Sequence, residues 1–173
     1  SEDFPHLDHA PIVEAVIHWR ARGEANLEPE KLRSQLAGKL PDYPAVKSQQ
    51  ELHLESKIDA QSAAHSQRTE WRGLRLESTN GRNIAQFMRD GFAFSRLAPY
   101  ENWDRFATEA IRLWRIHAEF ARPLEVERLG VRFINRIAPI DLGRLEDVLT
   151  SPPQHPGELA LPVREFLHRT DFE

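Results

Sequence analysis

The chain has 173 residues and a mass of 20.0 kDa, which suits one domain able to bury roughly two thirds of its unfolded surface. Its 23 basic residues stand against 27 acidic ones for a formal charge of −4, which gives no bulk attraction to nucleic acid or to an anionic membrane. Without cysteine it has no disulfides, no thiolate zinc site and no cysteine nucleophile, a composition that fits a reducing compartment, with the cytoplasm as default.

The cations are unevenly divided, with four lysines (Lys31, Lys39, Lys47 and Lys57) and arginine everywhere else. Arginine favours fixed, planar pairing with carboxylates and phosphates, although the base composition of a GC-rich genome produces the same bias. The first residues, Ser1 to His9, are acidic and polar. No apolar run approaches the ~20 residues that span a bilayer, so neither secretion nor a membrane partner is expected.

After Pro11, Val13, Ala15, Ile17 and Trp19 alternate with Glu14, Val16, His18 and Arg20, the period of a strand with one buried face. Glu28-Pro29-Glu30 then places acids and proline where a helix starts, and Leu32, Leu36 and Leu40 recur until Pro41 stops the pattern. Leu52, Leu54 and Ile58 mark a second strand over Gln50–Ile58, and Asp59–Thr69, rich in Ser, Ala and Gln, reads as a long disordered loop. From Trp71 to Leu97 three strands are expected, joined by two-residue turns at Asn80-Gly81 and Asp90-Gly91, the pairs that accept the positive φ of tight hairpins.

The clearest helix follows, capped by Asn102, with Trp103, Phe106, Ala110, Leu113, Trp114, His117, Phe120 and Ala121 at three- and four-residue spacing. Pro123 ends it. Val126–Ile137 then alternates Leu129, Val131, Phe133, Asn135 and Ile137 against Arg128, Gly130, Arg132, Ile134 and Arg136. The order β-α-β-β-β-β-α-β defines an α+β fold, an antiparallel sheet of about six strands with two helices on one face. Residues 1–140 are read as this domain and 141–173 as a proline-rich extension. Short helices near Gly143–Leu149 and Val163–His168 and the start of a further, truncated region are expected there.

Arg128, Arg132 and Arg136 share one side of the last strand, each ~13 Å from the next, and form a ladder that could hold a phosphate, a nucleotide or an acidic partner. Cross-strand pairing of Arg128 and Arg136 with Glu14, Glu55 or Glu77 is the structural alternative. Glu14, His18 and Arg20 share the outer face of the first strand, but ~13 Å separates carboxylate from imidazole, too far for an acid–base pair. Asn135, between Phe133 and Ile137, reads as a buried amide needing partners. His117 reads as a satisfied core histidine. His6-x-x-His9 beside Asp8 is the sole histidine cluster and is not taken as a metal site; no cofactor is implied, and no phosphate loop, nucleophile elbow or zinc helix occurs.

One resemblance adds to this reading. Ala10-Pro11-Ile12-Val13-Glu14-Ala15-Val16, Gln86-Phe87, Phe94-Ser95-Arg96-Leu97-Ala98-Pro99-Tyr100 with Trp103 and Phe106, and Arg128–Ile137 resemble a sporadically distributed family of uncharacterised bacterial proteins. The match spans residues 7–140 in order as well as wording. It implies a bacterial cytosolic protein with a mobile or defence-linked genomic setting, transfers no site residue, and suggests a missing C-terminal portion because family members are longer. The expectation is a non-enzymatic protein-binding or self-associating module using the free sheet edges and polar face, with Arg128, Arg132, Arg136, Glu14, His18, Arg20 and Asn135 as candidate contacts. The alternative is a phosphate- or nucleotide-binding domain or enzyme on the arginine-lined face.

Overall fold

The computed structural model describes residues 10–23, 26–59 and 62–136, with the side chains of 54–66 outside the description. Residues up to Arg136 belong to one compact unit. Its elements are β1 (Ile12–Gly23), α1 (Pro29–Lys39), β2 (Ala45–Asp59), β3 (Ser62–Glu77), β4 (Asn83–Met88), β5 (Gly91–Leu97), α2 (Trp103–Ala121) and β6 (Pro123–Asn135). The strands form one sheet in the order β2-β3-β4-β5-β1-β6, every neighbouring pair antiparallel. The expected α+β architecture is what the chain adopts. The expected terminal histidine cluster and the helices beyond residue 140 lie outside the described residues.

Alternation decides which face is covered. Ala15, Ile17 and Trp19 of β1 align through β5 and β4 with Phe94, Phe92, Phe87, Ala85, Leu74 and Leu76, and all are buried with Leu32 and Leu36 of α1 and Phe106, Ala110 and Leu113 of α2. Both helices therefore lie on one side. Burial of each such large side chain contributes about 1.5–3 kcal/mol. Trp19 stacks on Trp114 at 5.3 Å, and Phe94 on Phe106 at 5.5 Å. Tyr43 is fully buried behind α1 and donates to Glu109 at 2.7 Å, while Arg112 grips the same carboxylate and reaches Asp42 at 3.0 Å. These bonds tie α2 to the start of β2. They lower the Glu109 pKa despite its burial, and burial foremost raises that of Tyr43.

Local chemistry explains the boundaries. Asn102 accepts from the Arg105 backbone N–H at 2.9 Å and caps α2, and Arg122, left-handed at φ 48, ends it one residue before Pro123. The two turns fall where expected but differ in size. Ser78–Arg82 is a five-residue loop with Gly81 at φ 67 accommodating the reversal, held by Ser78 and Asn80 side chains. Arg89-Asp90 form the second turn, with Gly91 the first residue of β5. A Cβ on Gly91 would lie 2.0 Å from the Trp19 carbonyl oxygen, so glycine is required by close approach as well as by φ 148.

Four sequence expectations need correction. Residues 62–69, read as part of a loop, belong to β3 and pair with β2 from Asp59↔Ser62 inward. Gln67, Arg68 and Thr69 are all exposed, as are Glu51, Leu52 and His53 on the partner strand, so the described side chains of this part of the ribbon have no buried face and show no apolar period to read. β2 likewise starts at Ala45, ahead of Gln50. Asn135 is exposed rather than buried, as are Leu129, Val131 and Phe133, because β6 sits at the sheet edge beyond the cover of the helices. Trp103 is also about half exposed (48%) and stands outside the core its spacing suggested.

Candidate functional site

The side of the sheet without helices is polar and is built by register. One row across it runs Gln49, Gly73, Met88, Gly91, Arg20, Arg128 and the next runs Lys47, Arg75, Gln86, Ala93, His18, Gly130. Gly73, Gly91, Ala93 and Gly130 leave a low floor between taller side chains. Over Gly73, Gln49 of β2 donates to Gln86 of β4 at 2.7 Å, a contact across an intervening strand that the missing side chain permits. The result is a trough of about 360 Å³, lined by Gln49, Arg72, Gln86 and Met88 toward one end and by His18, Arg128 and Arg132 toward the other.

Arg72 reaches the trough through a bulge. The β2–β3 register passes from Gln49↔Gly73 to Gln50↔Trp71 and leaves Arg72 unpaired, and such an extra residue re-aims its side chain. Among the described residues no carboxylate lines the cavity. Acids stand at its rim: Asp90 lies 3.9 Å from Arg72, and Glu127, on a second bulge, takes Arg20 at 3.2 Å and Arg22 at 3.3 Å. Glu77 is committed to Lys47 and Arg75, and the Lys47 hydrogen bond foremost holds its pKa down. Among the described residues neither Arg128 nor Arg132 has an ion-pair partner. Partial burial, reinforced by Arg128, Arg72 and Arg20 and opposed by Asp90, holds the His18 pKa below its ordinary value, so its imidazole is neutral at pH 7. The Gln49 Oε1 is buried without a hydrogen-bond partner among the described residues.

The arginine ladder is thus only partly assembled. Arg128 and Arg132 meet at the trough with His18, whereas Arg136 follows the end of β6 and is absent from its lining. Glu14 faces Leu97 and Ile134, two positions beyond Val16, and is also absent from the lining. Arg20 is turned to Glu127. The expected pairing of Arg128 or Arg136 with Glu14 or Glu77 does not form, and the side chain of Glu55 lies outside the description. Arg72, Gln49 and Gln86 were missed in the sequence because a bulge and a glycine, not periodicity, bring them in. Among the described residues no group of His, Asp and Glu could hold a metal ion.

β6 has a second distinctive face. Phe133, Val131 and Leu129 align with Ala15, Ile17 and Trp19 on the helix side, yet no helix among the described residues covers them. Of the eight large apolar side chains that are exposed among the described residues, five are on this strand: Leu124, Val126, Leu129, Val131 and Phe133. Phe133 meets protein at the Tyr100 ring, 5.6 Å away. The opposite edge, β2, exposes Leu52 but is mostly polar over its described side chains, with Lys47, Gln50 and Glu51, and charge protects it.

These features define an α+β chain with an arginine-lined trough on a helix-free sheet face and an apolar free edge. Comparison with protein-family models, curated proteins and solved structures finds no match to it. None of its helices among the described residues is long and apolar enough to cross a membrane.

Proposed function

We propose that this chain is a non-enzymatic binding module that self-associates by antiparallel pairing of β6 with β6 of a second copy, in the bacterial cytosol that the sequence resemblance implies. The observation that supports this reading is the exposed apolar stripe Leu124, Val126, Leu129, Val131 and Phe133 on an edge strand that no other described element covers. An edge of this kind offers unpaired backbone groups together with a hydrophobic face, the two things that strand addition uses.

Charge favours a second copy as occupant. Glu125 and Glu127 lie in the first half of β6, with Arg128 following them, and Arg132 lies in the second, with Arg136 just beyond, so an antiparallel mate brings the two acids toward the basic end of its partner. A two-fold axis at Val131 lays Phe133 against the partner's Leu129 and Arg132 against the partner's Gly130, and brings Glu127 toward the partner's Arg136. An axis at Gly130 instead opposes Arg128 with Arg132 and is disfavoured by like charge.

Sedimentation of the full chain between micromolar and hundred-micromolar concentration tests the reading. A dimer is expected for the wild type and a monomer for Leu129→Arg, whose unaltered far-ultraviolet spectrum and melting temperature would show that an exposed position was changed without damage to the fold. A monomer across the whole range would overturn the proposal.

A further inference from the structure

The geometry points to a binding site in the trough for a phosphorylated small molecule of mononucleotide size that also carries a hydroxyl or amino donor. Four observations converge on it. The volume, about 360 Å³, falls in the range of small-molecule sites, roughly 300–1,000 Å³, and is too small for a protein segment with its own core. Three guanidinium groups, Arg72, Arg128 and Arg132, reach the cavity while no carboxylate among the described residues lines it, and the guanidinium fork matches phosphate oxygens bidentately. Two of the three have no ion-pair partner among the described residues, so their charge is available to a ligand.

The other two observations specify the rest of the molecule. Gln49 donates its amide N–H to Gln86 and is left with a buried carbonyl oxygen, unpartnered among the described residues, which only a donor can satisfy. The hydroxyl donors of inorganic phosphate sit on the same group that the guanidiniums hold, whereas a sugar hydroxyl or a base amine offers a donor at a distance from it. Between the two ends His18, Met88, Ala93 and Val16 give a partly apolar floor against which a sugar or base can rest. Arg128 and Arg132 thus hold phosphate near β6, and Gln49 and Gln86, with Arg72 beside them, read the far end near β2 and β3.

Strand β6 lines the trough as well as carrying the apolar stripe, Val131 being common to both, so ligand binding is read on the arginine variants and β6 pairing on Leu129→Arg. Because charge-assisted contacts each contribute tenfold or more, loss of two weakens binding by roughly a hundredfold.

Isothermal titration of the full chain with the four common nucleoside monophosphates, ribose 5-phosphate and inorganic phosphate tests the assignment. At least one organic phosphate is expected to bind more tightly than inorganic phosphate, with Arg128→Gln/Arg132→Gln weakening it by roughly a hundredfold. Gln49→Leu should remove the preference for the organic phosphate while leaving inorganic phosphate unchanged. Both variants alter groups at the cavity surface, and a wild-type melting profile confirms their folding. Absence of binding by every probe at millimolar concentration would overturn the inference. So would equal binding by the arginine double variant, equal affinity for inorganic and organic phosphate, or a marked preference for an oligonucleotide over its monomer.

Discussion

His117 makes the stability of this fold depend on pH. The imidazole is 2% exposed on the inner face of α2, with its ring centre 5.6 Å from Trp114, 5.8 Å from Phe92 and 5.9 Å from Phe87. Its Nδ1 has no hydrogen-bond partner, so it is buried but not satisfied as a core histidine usually is. Desolvation lowers its pKa from 6.5 to about 4, against a small opposing pull from Asp90. A base whose folded pKa is depressed is neutral in the fold while the unfolded chain still binds a proton. Stability is therefore full above pH 6.5 and falls as pH drops toward 4. Each pH unit within the window costs about 1.4 kcal/mol, which gives a loss of about 2 kcal/mol at pH 5 relative to pH 7. His18 shifts in the same direction and adds to the slope, whereas carboxylates such as Glu109 act below the window.

The assay is urea denaturation of wild type and His117→Leu at several pH values from 4.5 to 7.5. The variant should match or exceed the wild type in stability at pH 7, because an unsatisfied buried nitrogen worth about 1–3 kcal/mol is removed, and should lose about 2 kcal/mol less on acidification to pH 5. Parallel pH profiles for the two proteins would refute this reasoning.

Two further substitutions test how the sheet and its helical layer are held. Gly91→Ala should cost about 3 kcal/mol or more in chemical denaturation, since the new Cβ falls 2.0 Å from the Trp19 carbonyl oxygen at a φ of 148; a loss below about 1 kcal/mol would show that β1 and β5 can separate freely there. Asn102→Ala should lower stability by about 1 kcal/mol through loss of the 2.9 Å cap to Arg105, read as a shift in urea midpoint, and no shift would mean that α2 is fixed by packing alone.

How much of this was legible in the sequence depended on whether one element alone carried the signal. β1 and α2 bury a single face each, so their periods of two and of three to four residues stand out, and the glycines and asparagines of the turns mark the reversals. The outer part of the β2–β3 ribbon buries no side in the residues described, and a strand without a buried face leaves no alternation. β6 misled in the opposite sense: Leu129, Val131 and Phe133 alternate as a core strand would, but position at the sheet edge, which sequence period does not encode, leaves them exposed. The trough was half visible. Arg128, Arg132 and His18 follow from alternation, whereas Arg72 enters through a bulge and Gln49 meets Gln86 only because Gly73 stands between them. These depend on register between strands.

Cysteine cross-linking tests β6 pairing most directly, because the natural chain has no cysteine and a single introduced thiol can react only with its own copy in a partner. Val131→Cys, at the two-fold axis inferred for the pair, places two Cβ atoms within the ~4–5 Å that a disulfide and an antiparallel pair share. Gln50→Cys on β2 serves as the control on the other edge. Edge pairing requires rapid formation of a covalent dimer by Val131→Cys under mild oxidation and slow, concentration-driven formation by Gln50→Cys. Equal slow rates for the two, with the wild type sedimenting as a monomer, would contradict it.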